Sequence, residues 1–385
     1  MSTGIGVVGA GMVSHAYLGS IARSSDLELR ALTSQGMTTA RAQARRYGGE
    51  ATSLDAMLAD RAVQIVVNLA PPATRHEIGR RVLAAGKHLY CEKPLATTLS
   101  DARDLLDLAA AHGLWVGCAP DTFLGTGAQA ARSLVDAGAI GAVVSGSVAF
   151  GTRGMESWHP RPAAFFAEGG GPLLDVGPYY LTQLVNLLGP VAEVAAIGAK
   201  PRATRAGPNG DFAVKVFTTV QGALGFASGA TVSLSMSWDI GPSRRPPIEL
   251  HGDLGSVQVP DPNQFGGAPR LGLDGGDWRW IGEAPTPRPY SAESLRAAVA
   301  ALEAGIDPLT GAAAGPETAA RFGDLRGLGL IDMARRLEAG QPPRASGALA
   351  FHVLEVLLGL QQSAASGERI TIASRPARPD PLDVS

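Results

Sequence analysis

The chain has 385 residues, a formal net charge of −2, 45% hydrophobic residues and only 18% charged ones. That length supports a substantial core and two domains. The near-neutral balance and a 5% aromatic content exclude a basic nucleic-acid face, a stacking platform for single strands and attraction to an anionic membrane surface. The two cysteines, Cys91 and Cys118, sit in apolar strand-like runs and read as buried free thiols, too few for a disulfide framework or a zinc site. No stretch reads as a signal peptide or membrane span. The most apolar run, 179–197, is interrupted by Gln183, Asn186, Pro190 and Glu193, so a cytoplasmic protein is expected.

The first 120 residues alternate between two periods. Nearly continuous apolar runs predict strands over Ile5–Gly9, Leu27–Thr33, Gln64–Ala70, His88–Glu92 and Leu114–Ala119. Amphipathic stretches between them predict helices over Met12–Arg23, Thr38–Tyr47, Leu54–Asp60, Thr74–Ala85 and Leu99–His112. This is the pattern of a parallel sheet covered on both faces. Gly48, Gly86 and Gly113 follow helices as terminators, and Ser53 and Ser100 stand near helix starts.

Beyond residue 120 the pattern changes. A helix over Gly127–Ala137 and a strand over Ala142–Phe150 precede a loop rich in Pro and Gly, then a helix over Leu173–Leu188. Strand-like segments follow at Val191–Ile197, Ala213–Val220, Ala223–Ala227, Ala230–Trp238, Ile248–His251 and Gly255–Val259, spaced as in a mainly antiparallel sheet. An irregular stretch over 260–290 holds a short strand near Trp278–Ile281, and helices over Glu293–Ala304, Phe322–Ala339 and Leu349–Ser366 follow. The fold class is therefore α/β: a doubly wound parallel sheet over 1–120, a second α/β domain with a large, mainly antiparallel open sheet over 121–375, and a tail over 376–385.

The opening strand runs into Gly9-Ala10-Gly11-Met12-Val13-Ser14, and helical spacing follows at Val13, Tyr17, Leu18 and Ile21. A strand, a tight glycine turn and a helix N-terminus together make a pyrophosphate site, because the first helical amides lack partners and the helix dipole is positive there. Gly9 allows the turn, Gly11 lets the backbone approach the phosphates, and Ser14 stands where the dinucleotide fingerprint has Gly or Ala. Gly9, Gly11, Met12 and Val13 are thus cofactor-binding candidates, with His15 close by. The second strand ends in Thr33-Ser34-Gln35, without the acid that receives a ribose 2′-hydroxyl. With Ser34 at the tip and Arg41 on the next helix, the reading favours NADP(H), and NAD(H) bound through Ser34 is the alternative.

A strand that ends in Glu92-Lys93-Pro94 puts Lys93 where ligands of open parallel sheets bind, and Pro94 restricts its conformation. Further motifs are the turn Asn68-Leu69-Ala70-Pro71-Pro72-Ala73-Thr74-Arg75-His76, the run Gly169–Tyr179, and His251-Gly252-Asp253-Leu254-Gly255-Ser256. In this order the motifs resemble the Gfo/Idh/MocA family of nicotinamide-dependent oxidoreductases, over nearly the whole chain. The resemblance implies an N-terminal Rossmann domain, a C-terminal domain whose open sheet supports the substrate pocket and often an oligomer interface, and sugar, glycoside or cyclitol substrates. Ala70, Pro71, His76, Glu92 and Lys93 join the cofactor candidates.

Asp175 and Tyr179 are four apart and share a helix face. The family has an acidic residue there and, four later, a histidine acting as acid or base; this chain has Tyr179 instead. A phenol titrates near ~10, and an adjacent ammonium stabilises its phenolate. A Lys93–Tyr179 proton relay and a Tyr179 that only shapes the pocket therefore stand as alternatives. Lys93, Asp175 and Tyr179 are the catalytic candidates. They also join Asp121, Thr122 and His159 as substrate-binding candidates. The alternative for Asp121 and Thr122, beside Phe123, is a cap and packing corner for the next helix. His88, His112 and His352 read as structural, and no cluster has metal-ligand spacing.

The expected function is hydride transfer between a nicotinamide and a secondary alcohol or ketone of a carbohydrate-like substrate. Two other readings are a redox-neutral lyase or glycoside hydrolase with retained NAD(P), and a non-catalytic NAD(P)-sensing regulator. The strands over 213–238 carry an apolar face too long for one helix layer, which predicts a homodimer or homotetramer through the sheet.

Overall fold

The computed structural model describes residues 2–241, 243–273, 276–282 and 325–382. They form two compact units, residues 2–122 with 325–351 and residues 123–282 with 352–382. The helix expected over Glu293–Ala304 lies outside the described residues.

In the first unit, strands β1 (Thr3–Val8), β2 (Leu27–Thr33), β3 (Glu50–Ala51), β4 (Ile65–Asn68), β5 (His88–Cys91) and β6 (Val116–Cys118) form one parallel sheet in the order β3-β2-β1-β4-β5-β6. Helices α1 (Ser14–Arg23), α2 (Met37–Tyr47), α3 (Leu54–Ala59), α4 (Pro72–Ala84) and α5 (Leu99–Ala111) connect them. Every residue of β1 and β4 is buried, which is why these strands read as unbroken apolar runs. The strand order reverses between β1 and β4, the point at which open parallel sheets bind ligands beyond the carboxyl ends of their strands. Ser53 caps α3 by accepting from the Ala56 amide at 3.2 Å. On α5 the cap is Thr98 and not Ser100: Thr98 Oγ1 accepts from the Asp101 amide at 3.1 Å, and Ser100 already lies inside the helix. Cys91 and Cys118 are register partners on adjacent strands, both buried and free, and burial pushes the Cys91 thiol up to about 12.

The second unit begins with α6 (Thr126–Asp136) and β7 (Val143–Gly151), then α7 (Gly171–Asp175) and α8 (Gly177–Leu188). The single helix expected over Leu173–Leu188 is thus broken at Val176, with Pro178 in the first turn of the new helix. Strands β8 (Val191–Ala199), β9 (Thr204–Gly207), β10 (Gly210–Ala213), β11 (Thr219–Phe226), β12 (Thr231–Ser237), β13 (Ile248–Gly252), β14 (Gly255–Val259), β15 (Arg270–Leu273), β16 (Arg279–Trp280) and β17 (Ile370–Thr371) follow. Nine strands form a sheet ordered β16-β15-β14-β13-β7-β12-β11-β8-β17, in which β7 and β12 are parallel and the other pairs antiparallel. β9 and β10 stand apart as a hairpin turning on Pro208-Asn209.

β12 shows the logic of the large sheet. Val232, Leu234 and Met236 are buried while Thr231 and Ser233 are exposed. Val220, Leu224, Val148, Ile248 and Leu250 are buried as well, and all twelve residues of α8 are buried. The apolar face that predicted an oligomer is therefore covered within the chain. The opposite face carries a cross-strand row of Ala195, Ala223, Ser233, Ser147, Glu249, Gln258 and Arg270.

Two helices close the described chain. α9 (Leu328–Glu338) brings Leu330 and Met333 into the first unit's core with Tyr17, Leu18, Ile21 and Tyr90. The first unit thus takes in residues far beyond 120. α10 (Gly347–Ser366) is long and apolar enough to cross a membrane, contrary to the expectation that no run is; more than half of its apolar stretch is buried inside the fold, as in a core helix. The tail is tied down: Arg378 Nε donates to the Asn186 carbonyl at 3.1 Å, and the Leu382 amide to Gln129 Oε1 at 3.1 Å.

Candidate functional site

Gly9 leaves β1 with φ +102°, and its amide donates to the Thr33 carbonyl at 2.8 Å. A Cβ there would lie 3.0 Å from the Leu69 backbone, so only glycine lets the loops after β1 and β4 approach. At Gly11 nothing lies within 4 Å of a Cβ, which leaves room for a ligand against the backbone. The first helical rung runs from the Ser14 amide to the Gly11 carbonyl at 3.0 Å. The amides of Gly11, Met12 and Val13 therefore precede the ladder, at the positive end of α1. Buried Ser14 donates its hydroxyl to the Gly11 carbonyl at 2.6 Å, which closes the turn and accounts for serine at this position. These residues fit a dinucleotide diphosphate.

His15 faces away from that task. Its Nε2 accepts from Gln43 at 3.0 Å and its Nδ1 donates to the Tyr47 hydroxyl at 2.8 Å. Burial, helped by Arg46, lowers its pKa to about 4, so it is a neutral brace between α1 and α2. Ser34 is half-buried at the end of β2 and donates to the Gly36 carbonyl at 2.7 Å. Residues 33–38 contain no carboxylate.

The Glu-Lys-Pro turn is fixed by a buried knot. One Glu92 oxygen accepts from the Tyr17 hydroxyl at 3.1 Å and the other from the Lys93 amide at 2.8 Å. Buried Arg75 donates to the Pro94 carbonyl at 2.5 Å and to the Ala70 carbonyl at 2.9 Å. Asn68, fully buried, donates to the Arg75 carbonyl at 3.0 Å and accepts from the Ala70 amide at 3.2 Å. Arg75 and Asn68 thus stitch the Ala70–Pro71 turn to the turn that carries half-buried Lys93; the Lys93–Pro94 bond is cis. Tyr17, Asn68 and Arg75 were not among the site candidates. Their signal was a polar group inside an apolar strand end, which burial obliges to be partnered. His76 is not part of the knot: its Nε2 lies 2.7 Å from Asp104 and braces α4 against α5.

In the second unit, half-buried Asp175 ends α7 and buried Tyr179 lies in the first turn of α8, on either side of the Val176 break. His159 Nδ1 accepts from the Arg161 amide at 3.0 Å, which leaves the proton of the neutral ring on Nε2. Its ring meets Trp158 and Phe165 edge-on, at centroid distances of 5.4 and 4.8 Å. Asp121, Thr122 and Phe123 do not form a sugar subsite. All three are buried, and Asp121 Oδ2 accepts from the amides of Gly327 at 2.9 Å and Gly329 at 2.8 Å. Asp121 caps α9, and burial raises its pKa to about 6 against those hydrogen bonds.

Two family models match this chain: the oxidoreductase family with an NAD-binding Rossmann fold over residues 3–119, and the GFO/IDH/MocA C-terminal domain over residues 128–258. The chain belongs to the Gfo/Idh/MocA family of oxidoreductases. It is 38% identical over 190 residues to dTDP-3,4-didehydro-2,6-dideoxy-alpha-D-glucose 3-reductase of Streptomyces violaceoruber, a match covering 48% of this chain and 54% of that protein. It is 30% identical over 189 residues to D-glucoside 3-dehydrogenase of Escherichia coli K12, again covering 48% and 54%. The chain thus spans about half the length of these curated relatives, and 39% of two uncharacterized oxidoreductases of Schizosaccharomyces pombe. A levoglucosan dehydrogenase structure, in complex with NADH and L-sorbose, shares the fold with TM-score 0.77 at 19% identity, over 97% of this chain and 100% of that one.

Proposed function

We propose that the protein is an NAD(P)-dependent dehydrogenase or reductase acting on a secondary alcohol or ketone of a sugar, glycoside or cyclitol, with NADP(H) favoured. The observation that carries this reading is the knot of Glu92, Arg75 and Asn68. It fixes Lys93 beyond the carboxyl end of β5, on the same edge of the sheet as the glycine turn. The two relatives named for oxidoreduction of sugars support the substrate class.

When bound, the nicotinamide supplies the hydride-transfer chemistry. The Lys93 ammonium stabilises negative charge on the reacting oxygen. In the second unit Asp175 serves as an orienting group, and the Tyr179 hydroxyl is the candidate proton carrier. His159 donates to a second hydroxyl. The absence of a carboxylate after β2, where it would repel a 2′-phosphate, supports NADP(H).

Nicotinamide absorbance, followed with NADP or NAD against a panel of glycosides, cyclitols and free sugars, tests the reading. Substrate-dependent reduction of NADP is expected. Product formation with no net absorbance change makes the enzyme redox-neutral instead, and cofactor binding without turnover of any substrate rejects the assignment. Calorimetric titration tests the cofactor preference: Ser34→Asp is expected to shift it toward NAD(H), and wild-type binding of NAD(H) tenfold tighter than NADP(H), about 1.4 kcal/mol, contradicts it.

A further inference from the structure

Between β7 and α7 the chain crosses a long loop with 3-10 turns at Met155–Ser157 and Pro162–Phe166, and His159 lies between them. The β9–β10 hairpin holds this loop. The Arg205 side chain, 1% exposed, is ion-paired to Glu156 of the loop and to Asp239 just past β12. It also donates to the Arg153 carbonyl at 3.1 Å and the Trp238 carbonyl at 3.1 Å, and its guanidinium lies 4.9 Å from the Phe166 ring centre. Asp239 is anchored in turn, accepting from Thr218 at 2.6 Å and Thr219 at 2.9 Å. At the hairpin tip Asn209 donates to the Pro160 carbonyl at 3.1 Å. The hairpin therefore grips the loop on both sides of His159, at 153 and 156 and again at 160.

A buried cation between two carboxylates is a poor way to gain stability, since desolvation offsets most of the attraction and apolar residues of similar volume do as well. Here it sits beside a small hydrophobic cluster of Phe166, Val214 and Trp238, which already supplies apolar contact. What the triad adds is fixed direction: a planar fork that ties two loop groups and two sheet-end groups to one point.

We propose that Glu156, Arg205 and Asp239, with Asn209, are positioning residues for the His159 loop, and that the loop so held determines which polyol the site accepts through the His159 imidazole. The selectivity half rests on the dehydrogenase reading above; the grip on the loop does not.

Arg205→Lys keeps the charge and removes the fork, and Asn209→Ala removes one exposed hydrogen bond at the tip with little risk to folding. Both are compared with wild type and His159→Ala in three measurements: hydrogen exchange over 152–166, the nitrogen NMR signature of the His159 tautomer, and steady-state kinetics on the substrate panel. The expected result is faster exchange confined to the loop, loss of the single Nε2–H tautomer, and a roughly tenfold rise in KM with kcat within about twofold. Titrated NADP affinity is expected to be unchanged. His159→Ala is expected to reproduce the KM change. Unchanged loop exchange in both variants overturns the grip. Faster exchange with an unaltered order of preference across the panel overturns the selectivity half. Should wild type turn over no polyol, the dehydrogenase reading fails, and exchange and tautomer still decide the grip.

Discussion

Lys93 owes its place to a hydrogen bond that its side chain does not make, from its amide to a Glu92 carboxylate that Tyr17 holds from the other side. Replacing the ammonium alone, as Lys93→Met, is therefore expected to leave the turn and NADP affinity intact and to lower turnover by roughly a hundredfold, the loss typical of one transition-state donor. Near-normal turnover would remove Lys93 from the chemistry. Tyr179→Phe separates two roles: a proton carrier loses roughly a hundredfold to ten-thousandfold in turnover and one limb of the pH profile, while a pocket wall raises KM and keeps the profile. A different residue governs stability against acid. His352, fully buried, accepts from the Val191 amide at 3.0 Å on Nε2, so its proton sits on Nδ1, donating to Ser374 at 2.7 Å; Ser374 donates on to Glu355. That polarity is the reverse of a nucleophile triad and makes a latch for the chain after α10. Burial lowers the His352 pKa to about 4. The unfolded chain takes up this proton below ~6.5 and the fold refuses it, so stability is full above that pH and falls as pH drops toward 4. His15 has the same sign, while Asp121, raised to about 6, has the opposite one and loses its contribution as pH rises through 6. Two histidines outweigh one carboxyl, and urea unfolding between pH 6.5 and 4 is expected to show falling stability, with a shallower fall in His352→Gln. An identical slope in that variant would show that the latch does not titrate as described.

At the scale of elements, the turns after β4 and β5 behave as one piece because Arg75 spans them. Arg75→Met leaves the Ala70 and Pro94 carbonyls without their donor, a cost of about 1–3 kcal/mol each. It is expected to lower the melting temperature and weaken NADP binding in titration, whereas a variant with unchanged affinity would dissociate the two turns from the cofactor. Much of this was legible in the chain. β1 and β4 are buried throughout and read as apolar runs, and the glycine turn stands where the strand order reverses, with the Glu-Lys-Pro motif one strand further on, after β5. Other parts were hidden by distance or by ambiguous residues. Asp121 caps α9 through glycines 206 and 208 residues later, which no local pattern reveals. The gap expected between Val220 and Ala223 is bridged: Gly222 lies mid-ladder in β11, paired on both sides to β8 and β12. Gly177-Pro178 did announce a new helix start, but the apolar run across it read as one helix. The hairpin that holds the His159 loop had its signal in Pro208-Asn209-Gly210.

At the scale of the molecule, the face of the large sheet opposite its buried one has small side chains at its centre, Ala223, Ser233 and Ser147. Gln258 bonded to Glu249 and Arg270 stacked on Trp280 lie toward one edge. Such a face can meet a second sheet closely, and we expect a homo-oligomer through it. Light scattering at micromolar concentration is expected to give at least a dimer, and Ser233→Arg a monomer; a monomeric wild type contradicts the expectation.

The division of the chain has its own consequence during synthesis. The core contributed by Tyr17, Ile21 and Tyr90 is completed by Leu330 and Met333 of α9, and Asp121 finds its amide partners just ahead of the same helix. When residue 122 leaves the ribosome, the nucleotide-binding sheet can assemble but one of its flanks stays bare until α9 is made. At about 5–20 residues per second that interval is roughly ten to fifty seconds. For that time a nascent chain carries an aromatic surface that belongs indoors, at the stage when chaperones meet it. A fragment cut after the parallel sheet would keep that surface permanently, so the compact nucleotide-binding unit is inherited only by chains translated past residue 351.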